Sequence, residues 1–211
     1  MDPYAQLSQF LNKFVPLTEV EFNTIIRPYA QLRQFNKKQV ITNAGDVEQY
    51  LNFVIKGLAR KFFRKGDEEI ITQISFEDQI IHSQESFHTQ TPSDYYIEAI
   101  EPTTLLSINR ENLDKVFASG ASMERMGRLI ITFIMVLTEK WHMSLLKLSP
   151  RERFLTFVQN NPELLRRTPQ KYLASLLNIQ PETFSRFKHL LKGNKSTSSA
   201  NSSHFPNPAN L

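Results

Sequence analysis

Apolar positions change rhythm along the chain, and each change marks a new kind of element. Leu7, Phe10, Leu11 and Phe14, then Val20, Phe22, Ile25 and Ile26, recur at helical spacing around a break at Pro16. Thr18 followed by Glu21 has the form of a capping box and predicts the start of the second helix. From Gln39 to Ile108 the pattern shifts to short β-rich runs: QVIT, YLNFVIKGLARKFF, EEIITQIS and YYIEAIEPTTLLSI. Asn43-Ala44-Gly45-Asp46, Lys65-Gly66-Asp67 and a polar stretch around Ser83 to Ser93 separate them. Short strands with glycine at the corners predict a small antiparallel barrel or sandwich.

Helical pattern returns at Asn109 and runs, with a break near Gly120, to Lys147. Met123, Met126, Ile130, Phe133, Leu137, Trp141 and Leu145 recur in alternating steps of three and four. Such a seam either pairs with its own copy as a coiled coil or packs on its own barrel. Ser149-Pro150-Arg151-Glu152 is a second capping box, with proline at the first helical position, and the helix it opens ends near Asn160-Asn161-Pro162. The boundaries read as 1–147, with the long helix over about 120–147, then 148–193. Beyond Gly193 the chain is rich in Ser, Asn and Pro, which predicts a disordered tail over 194–211.

Thr168 to Leu191 reads TPQKYLASLLNIQPETFSRFKHLL, the layout of a helix-turn-helix. Leu173, Leu176 and Leu177 sit at helical spacing, with small Ala174 where a second helix crosses. Asn178 tolerates a left-handed backbone and stops the first helix. Ile179 plugs the corner, and Pro181 suits the first turn of the next helix. Burial of Phe184, Phe187, Leu190 and Leu191 leaves Glu182, Ser185, Arg186, Lys188 and His189 facing outward. An ordinary helical hairpin with a wet polar face shares this spacing. Charge favours DNA: nine of the chain's 25 Lys and Arg, but only three of its 21 Asp and Glu, fall between Leu148 and Lys195. That leaves 16 basic against 18 acidic groups elsewhere, so the net charge of +4 comes from this segment.

The 211 residues, 40% hydrophobic, suffice for two small domains. Absence of cysteine excludes disulfides, a thiolate nucleophile and cysteine-ligated zinc or iron–sulfur sites, and is compatible with a cytoplasmic setting. The N-terminal MDPYAQLSQFLNKF lacks the form of a signal peptide. The longest apolar run, Leu129 to Leu137, is far short of the roughly 20 residues of a membrane span, so no membrane association is expected. No nucleophile elbow, catalytic carboxylate pair or phosphate-cradling glycine loop is present, so no enzyme and no cofactor is expected. His82 and His88 lack a supporting carboxylate pattern, so no metal is expected either.

N-terminal helix, strand barrel, long helix and terminal motif together resemble the Crp/Fnr family of bacterial transcription regulators. Ala44-Gly45-Asp46 and Leu51-Asn52-Phe53-Val54-Ile55-Lys56-Gly57 resemble that family's turn and its strand ending in glycine. Gln180-Pro181-Glu182-Thr183 followed by Arg186 resembles the variant found in Bacteroidetes-type regulators. The resemblance implies an α+β fold: an antiparallel jelly roll of cyclic-nucleotide-binding type, a long dimerisation helix and a helix-turn-helix domain. It also implies a homodimer on double-stranded DNA, with RNA polymerase as a further partner. Gln180, Glu182, Ser185 and Arg186 would read bases; Gln170, Lys171, Thr183, Lys188 and His189 would contact phosphates. Arg pairs with guanine and Glu accepts from cytosine, although Glu182 and Arg186, four apart, could instead brace each other. Met123, Met126, Ile130, Phe133, Leu137 and Trp141 would form the dimer seam.

The sensor segment departs from the family pattern. His82-Ser83 stand for its Gly-Glu and Ser93-Asp94 for its Arg-Ser, and no Arg or Lys lies between Lys65 and Arg110. A cyclic phosphate would meet Asp94 with no cation, so binding of cyclic AMP or GMP is not expected. His82, Ser83, Ser93, Asp94, Tyr95 and Tyr96 then either line a pocket for another, unidentified effector or fill it. The winged hairpins of the family look shortened or missing. The alternative to a DNA-binding regulator is a small-molecule-sensing or protein-interaction module whose terminal hairpin docks a protein.

Overall fold

A computed structural model describes the backbone of residues 2–193 and the side chains through Lys188. The expected tail over 194–211 and the side chains of His189, Leu190 and Leu191 lie outside the described residues. The chain divides into two compact units, Met1–Ile131 and Thr132–Leu211. The division falls inside the long helix, upstream of the boundary expected at Lys147.

In the first unit, helix α1 (Pro3–Leu11) begins at Asp2, whose carboxylate accepts the Tyr4 N–H, and buries Phe10 and Leu11. The second expected helix is a single turn, α2 (Glu19–Glu21), that widens into a π-type turn over Phe22–Ile26 and tightens again over Arg27–Tyr29. Its Thr18–Glu21 capping box forms as expected. Eight strands follow: β1 (Gln31–Phe35), β2 (Val40–Thr42), β3 (Tyr50–Lys56), β4 (Ala59–Lys65), β5 (Glu68–Ser75), β6 (Ile80–Ile81), β7 (Tyr96–Ala99) and β8 (Thr103–Asn109). They form two antiparallel four-stranded sheets, β1-β8-β3-β6 and β2-β7-β4-β5, in jelly-roll fashion. Val54, Ala59, Ile81, Ile97 and Leu105 form a fully buried cluster.

Three elements of the strand unit escaped the sequence pattern, one of them the two-residue β6. β1 precedes the expected start of the strands and alternates little in polarity, and the polar stretch after Ser83 holds helix α3 (Gln84–Thr89). The run YLNFVIKGLARKFF is two strands because Gly57 turns the chain with φ +102°. A Cβ at Gly57 would lie 2.6 Å from the Pro102 carbonyl oxygen. Arg60, 2% exposed, joins three strands of the second sheet: its guanidinium contacts Glu69 on β5 at 2.6 Å and Glu98 on β7 at 3.0 Å.

Helices α4 (Arg110–Ala118) and α5 (Ala121–Lys147) flank Gly120, as the pattern predicted. In the second unit α6 (Pro150–Asn160) opens on the Ser149–Glu152 capping box. It is followed by α7 (Pro162–Arg167), α8 (Gln170–Leu176) and α9 (Pro181–Gly193). The sequence pattern predicted no helix at α7. Among the described residues no strand follows β8.

Gly57→Ala combines a strained backbone angle with a clash, so it should destabilise the protein by at least about 1–3 kcal/mol. Thermal denaturation checks this; an unchanged melting temperature would show that the β3–β4 turn has another conformation available.

Candidate functional site

Two places collect polar side chains that the fold alone does not require. One lies inside the strand unit, around the start of α3. Ser83 and Ser93, ten residues apart, meet there: the Ser93 hydroxyl donates to Ser83 Oγ at 2.8 Å, and both are buried. The Tyr95 N–H in turn donates to Ser93 Oγ at 3.0 Å. Glu48, 2% exposed, closes the cluster. Its carboxylate accepts from the Thr42 hydroxyl at 2.9 Å, the Ser83 N–H at 3.3 Å and the Tyr50 N–H at 3.2 Å. Burial pushes the Glu48 carboxyl above its usual range, opposed by these hydrogen bonds and by Arg33.

Lys61 on β4 supplies a cation that the sequence window missed. Its Nζ lies 3.4 Å from the His82 carbonyl oxygen and over the Tyr95 ring. Burial lowers its pKa to about 8, against an opposing pull from Glu48. Arg110 reaches the far end of α3, donating to the carbonyls of Phe87 and His88. The expectation of a segment without cations is therefore corrected: they arrive from β4 and α4, which flank the segment in space and not in sequence. They do not leave an open anion site, because Glu48 already accepts the Ser83 N–H and faces the buried ammonium.

His82, 4% exposed, packs edge-on against Phe87, and its Nε2 has no hydrogen-bond partner. Burial lowers its pKa to about 3, with Lys61 and then His88 adding to the effect, so the ring is neutral near pH 7. Asp94 points outward instead and shares an open cleft with Phe63, Arg64 and Tyr95. Tyr96 stacks on Phe62 with ring centroids 5.2 Å apart. The structure thus brings His82, Ser83 and Ser93 together in the interior and leaves Asp94 out of that cluster. Among the described residues no metal-binding group of His, Asp or Glu occurs.

The second place is the outward side of α8 and α9. Leu173, Ala174, Leu177 and Phe184 are essentially inaccessible, Leu176 and Ile179 are buried, and Asn178 adopts a left-handed φ of +50° between the helices. Phe154 of α6 receives both α9 aromatics, Phe184 at 5.0 Å and Phe187 at 5.6 Å. Fixing that face inward leaves Gln180, Glu182, Ser185 and Arg186 exposed, with Thr183 and Lys188 half-buried. Gln170 and Lys171 are exposed at the start of α8. Arg186 does not pair with Glu182: its guanidinium donates to the Thr183 hydroxyl at 3.1 Å.

Charge in this unit is less uniformly available than the sequence count suggested. Arg166 pairs with Glu163 on α7. Arg153 on α6 is buried, and its guanidinium donates to four backbone carbonyls: Leu177 at 2.9 Å, Asn178 at 3.0 Å, Leu145 at 3.1 Å and Leu148 at 2.7 Å. No sequence signal separates Arg153 from its exposed neighbour Arg151, since both sit in the first turns of one helix.

Of the expected seam on α5, Met123, Met126 and Phe133 are already buried within the chain, and Ile130, Leu137 and Trp141 are half-buried. The large apolar residues left exposed on α5 are Ile131, Met135 and Leu146. α5 is long and apolar enough to cross a membrane by length and composition alone, a test that core helices also pass. Adjacent Glu139 and Lys140, both exposed, interrupt that surface.

Residues 32–119 match the cyclic nucleotide-binding domain family. No curated protein matches the chain. Solved structures share its fold. FixK2 from Bradyrhizobium japonicum is 16% identical with a TM-score of 0.67, over 81% of this chain and 90% of that one. The catabolite activator protein of Thermus thermophilus is 22% identical with a TM-score of 0.54, over 86% of each chain. The c-di-GMP-responsive global regulator CLP of Xanthomonas campestris is 14% identical with a TM-score of 0.61, over 90% of this chain and 92% of that one. The antiparallel jelly roll followed by helices is therefore the fold that the sequence resemblance implied.

His82 carries a pH prediction. Its folded-state pKa of about 3 lies below its ordinary value of 6.5, so below pH 6.5 the unfolded chain binds the extra proton and stability falls with pH. Down to about pH 3 this amounts to at most about 1.4 kcal/mol per pH unit. A His82→Phe variant should lose less stability than the parent between pH 6.5 and 4 in chemical denaturation; parallel losses would place the ring in contact with water.

Proposed function

We propose that this protein is a homodimeric, sequence-specific DNA-binding transcription regulator of the Crp/Fnr type whose sensor core does not take cyclic AMP or GMP. The outward face of α9 carries the reading. Its apolar side is locked by Phe154, so Glu182, Ser185 and Arg186 are presented on a rigid helix with no ion pair between Glu182 and Arg186. A guanidinium held only by a neutral hydroxyl is free to pair with a guanine edge. Gln180, at the entry to the helix, completes the reading set. Gln170, Lys171, Thr183 and Lys188 flank that face and serve phosphates, which position the helix without specifying sequence. The names of two structural neighbours, an activator and a global regulator, support the same class.

Dimerisation follows from α5. Ile131 at 52% and Met135 at 62% exposure, one turn apart, leave an apolar strip uncovered on a long helix. The charged pair Glu139–Lys140 disfavours lipid as its cover, whereas a second copy accommodates charges at its margin. Two copies would set their α9 helices in successive major grooves about 34 Å apart. The seam proposed from this exposure runs through Ile131 and Met135, displaced from the buried Met123, Met126 and Phe133. Closure of the sensor core rests on Glu48, which occupies the Ser83 N–H at the start of α3 and the Thr42 hydroxyl on β2.

Selection of bound sequences from a random duplex pool, without added nucleotide, tests the function: a twofold-symmetric motif is expected, and no enrichment would overturn the proposal. On the selected site Arg186→Ala should cost about 1–3 kcal/mol and relax one base pair, whereas Lys188→Ala should weaken all DNA evenly and flatten the salt dependence. Equal losses for both variants on selected and random DNA would remove Arg186 as a reader. Met135→Glu should convert the dimer to a folded monomer in sedimentation velocity; a persistent dimer would move the interface elsewhere.

A further inference from the structure

Arg153 is a buried cation whose hydrogen-bond partners are all main-chain carbonyls. Two of them, Leu145 and Leu148, belong to the end of α5; the other two, Leu177 and Asn178, belong to the end of α8 and the turn that launches α9. Carbonyls at a helix C-terminus lack intrahelical donors and carry the negative end of the helix dipole. One guanidinium therefore satisfies the ends of two helices and is itself compensated by both. A planar fork with fixed donor directions constrains orientation as well as distance, which a flexible ammonium cannot do. Because the acceptors are backbone atoms, the link acts on the chain path itself. The next residue, Phe154, adds an apolar grip on Phe184 and Phe187, so adjacent positions of α6 hold the turn and the helix it starts.

We propose that Arg153 is a positioning residue that fixes the angle between the end of α5 and α9, and through it the half-site spacing that the dimer accepts. The second part rests on the DNA-binding reading above; the first does not. Arg153 touches no base or phosphate in this assignment. It decides where the reading residues are carried.

The absence of cysteine allows spin labels to be placed at will in the 211-residue chain. Labels at Thr138→Cys on α5 and Ser185→Cys on α9, in chains diluted with unlabelled protein, report the intrachain distance by double electron–electron resonance. The parent should give one narrow distribution. Arg153→Lys, which keeps the charge, and Arg153→Gln, which can reach only one of the two helix ends, should each broaden it about twofold while still melting cooperatively. An unchanged width in whichever variant folds would overturn the proposal.

A second measurement uses duplexes carrying two selected half-sites whose separation changes one base pair at a time. The parent should prefer one spacing by about tenfold, and Arg153→Lys should keep no more than about a threefold preference while binding a lone half-site within threefold of the parent. A retained spacing preference would overturn the link to DNA geometry. Failure of the parent to bind any duplex would instead remove the DNA-binding reading, and the label distances would still decide the role of Arg153.

Discussion

The strand unit is organised around one buried carboxylate. Glu48 lies between β2 and β3, yet the groups it binds come from β2, β3 and the start of α3. Its own N–H donates to Ser86 Oγ at 2.8 Å, and that hydroxyl donates to the Thr91 carbonyl at 2.6 Å. A buried carboxylate is tolerated only when its lone pairs are satisfied, so the positions of β2, β3 and α3 are specified together. Serine pairing between Ser83 and Ser93, the shielded ammonium of Lys61 and the neutral ring of His82 all surround it. In many-stranded folds polar interiors of this kind select one arrangement over other, equally apolar ones.

The terminal unit solves a different problem with the same means. Four short helices have little apolar surface to define their mutual angles. Phe154, Phe184 and Leu173 supply a dry centre, but helix ends leave carbonyls unpaired, and it is Arg153 that pairs them. Burial of Arg153 removes one of the segment's cations from the solvent-facing surface, while Gln170, Lys171 and Arg186 stay exposed on α8 and α9. The difference between a basic segment and a basic face lies in which arginines the fold consumes.

Legibility in the sequence followed the range of the interactions. α1, α4, α5 and α6, the two capping boxes and the left-handed Asn178 depend on neighbours within a turn or two, and periodicity or residue type announced them. The burial of Phe184 and Leu173 was legible for the same reason. β1 and α3 were not, because β1 gains its place from pairing with β8, seventy-odd residues on, and α3 from the Glu48 network. In the strand interior, His82, Ser83 and Ser93 could be picked from a family pattern, whereas Glu48 and Lys61 carry no local mark. Charge counting failed where sequence distance and spatial distance part: the window from Lys65 to Arg110 is empty of cations, while Lys61 lies against its middle. On α5, heptad spacing correctly found apolar residues but could not tell those facing the chain's own core from those left outside.

Arg60 gives the second sheet a set of charge pairs that solvent hardly modulates. Its ion pairs with Glu69 and Glu98 sit where mobile ions scarcely reach, with the guanidinium also stacked over Phe62 at 4.0 Å. Screening at physiological ionic strength acts over about 8 Å of solvent and hardly touches a pair held inside a sheet. Lys171 and Arg186, by contrast, stand in solvent. Ionic strength therefore hardly reaches the Arg60 pairs and acts in full on Lys171 and Arg186.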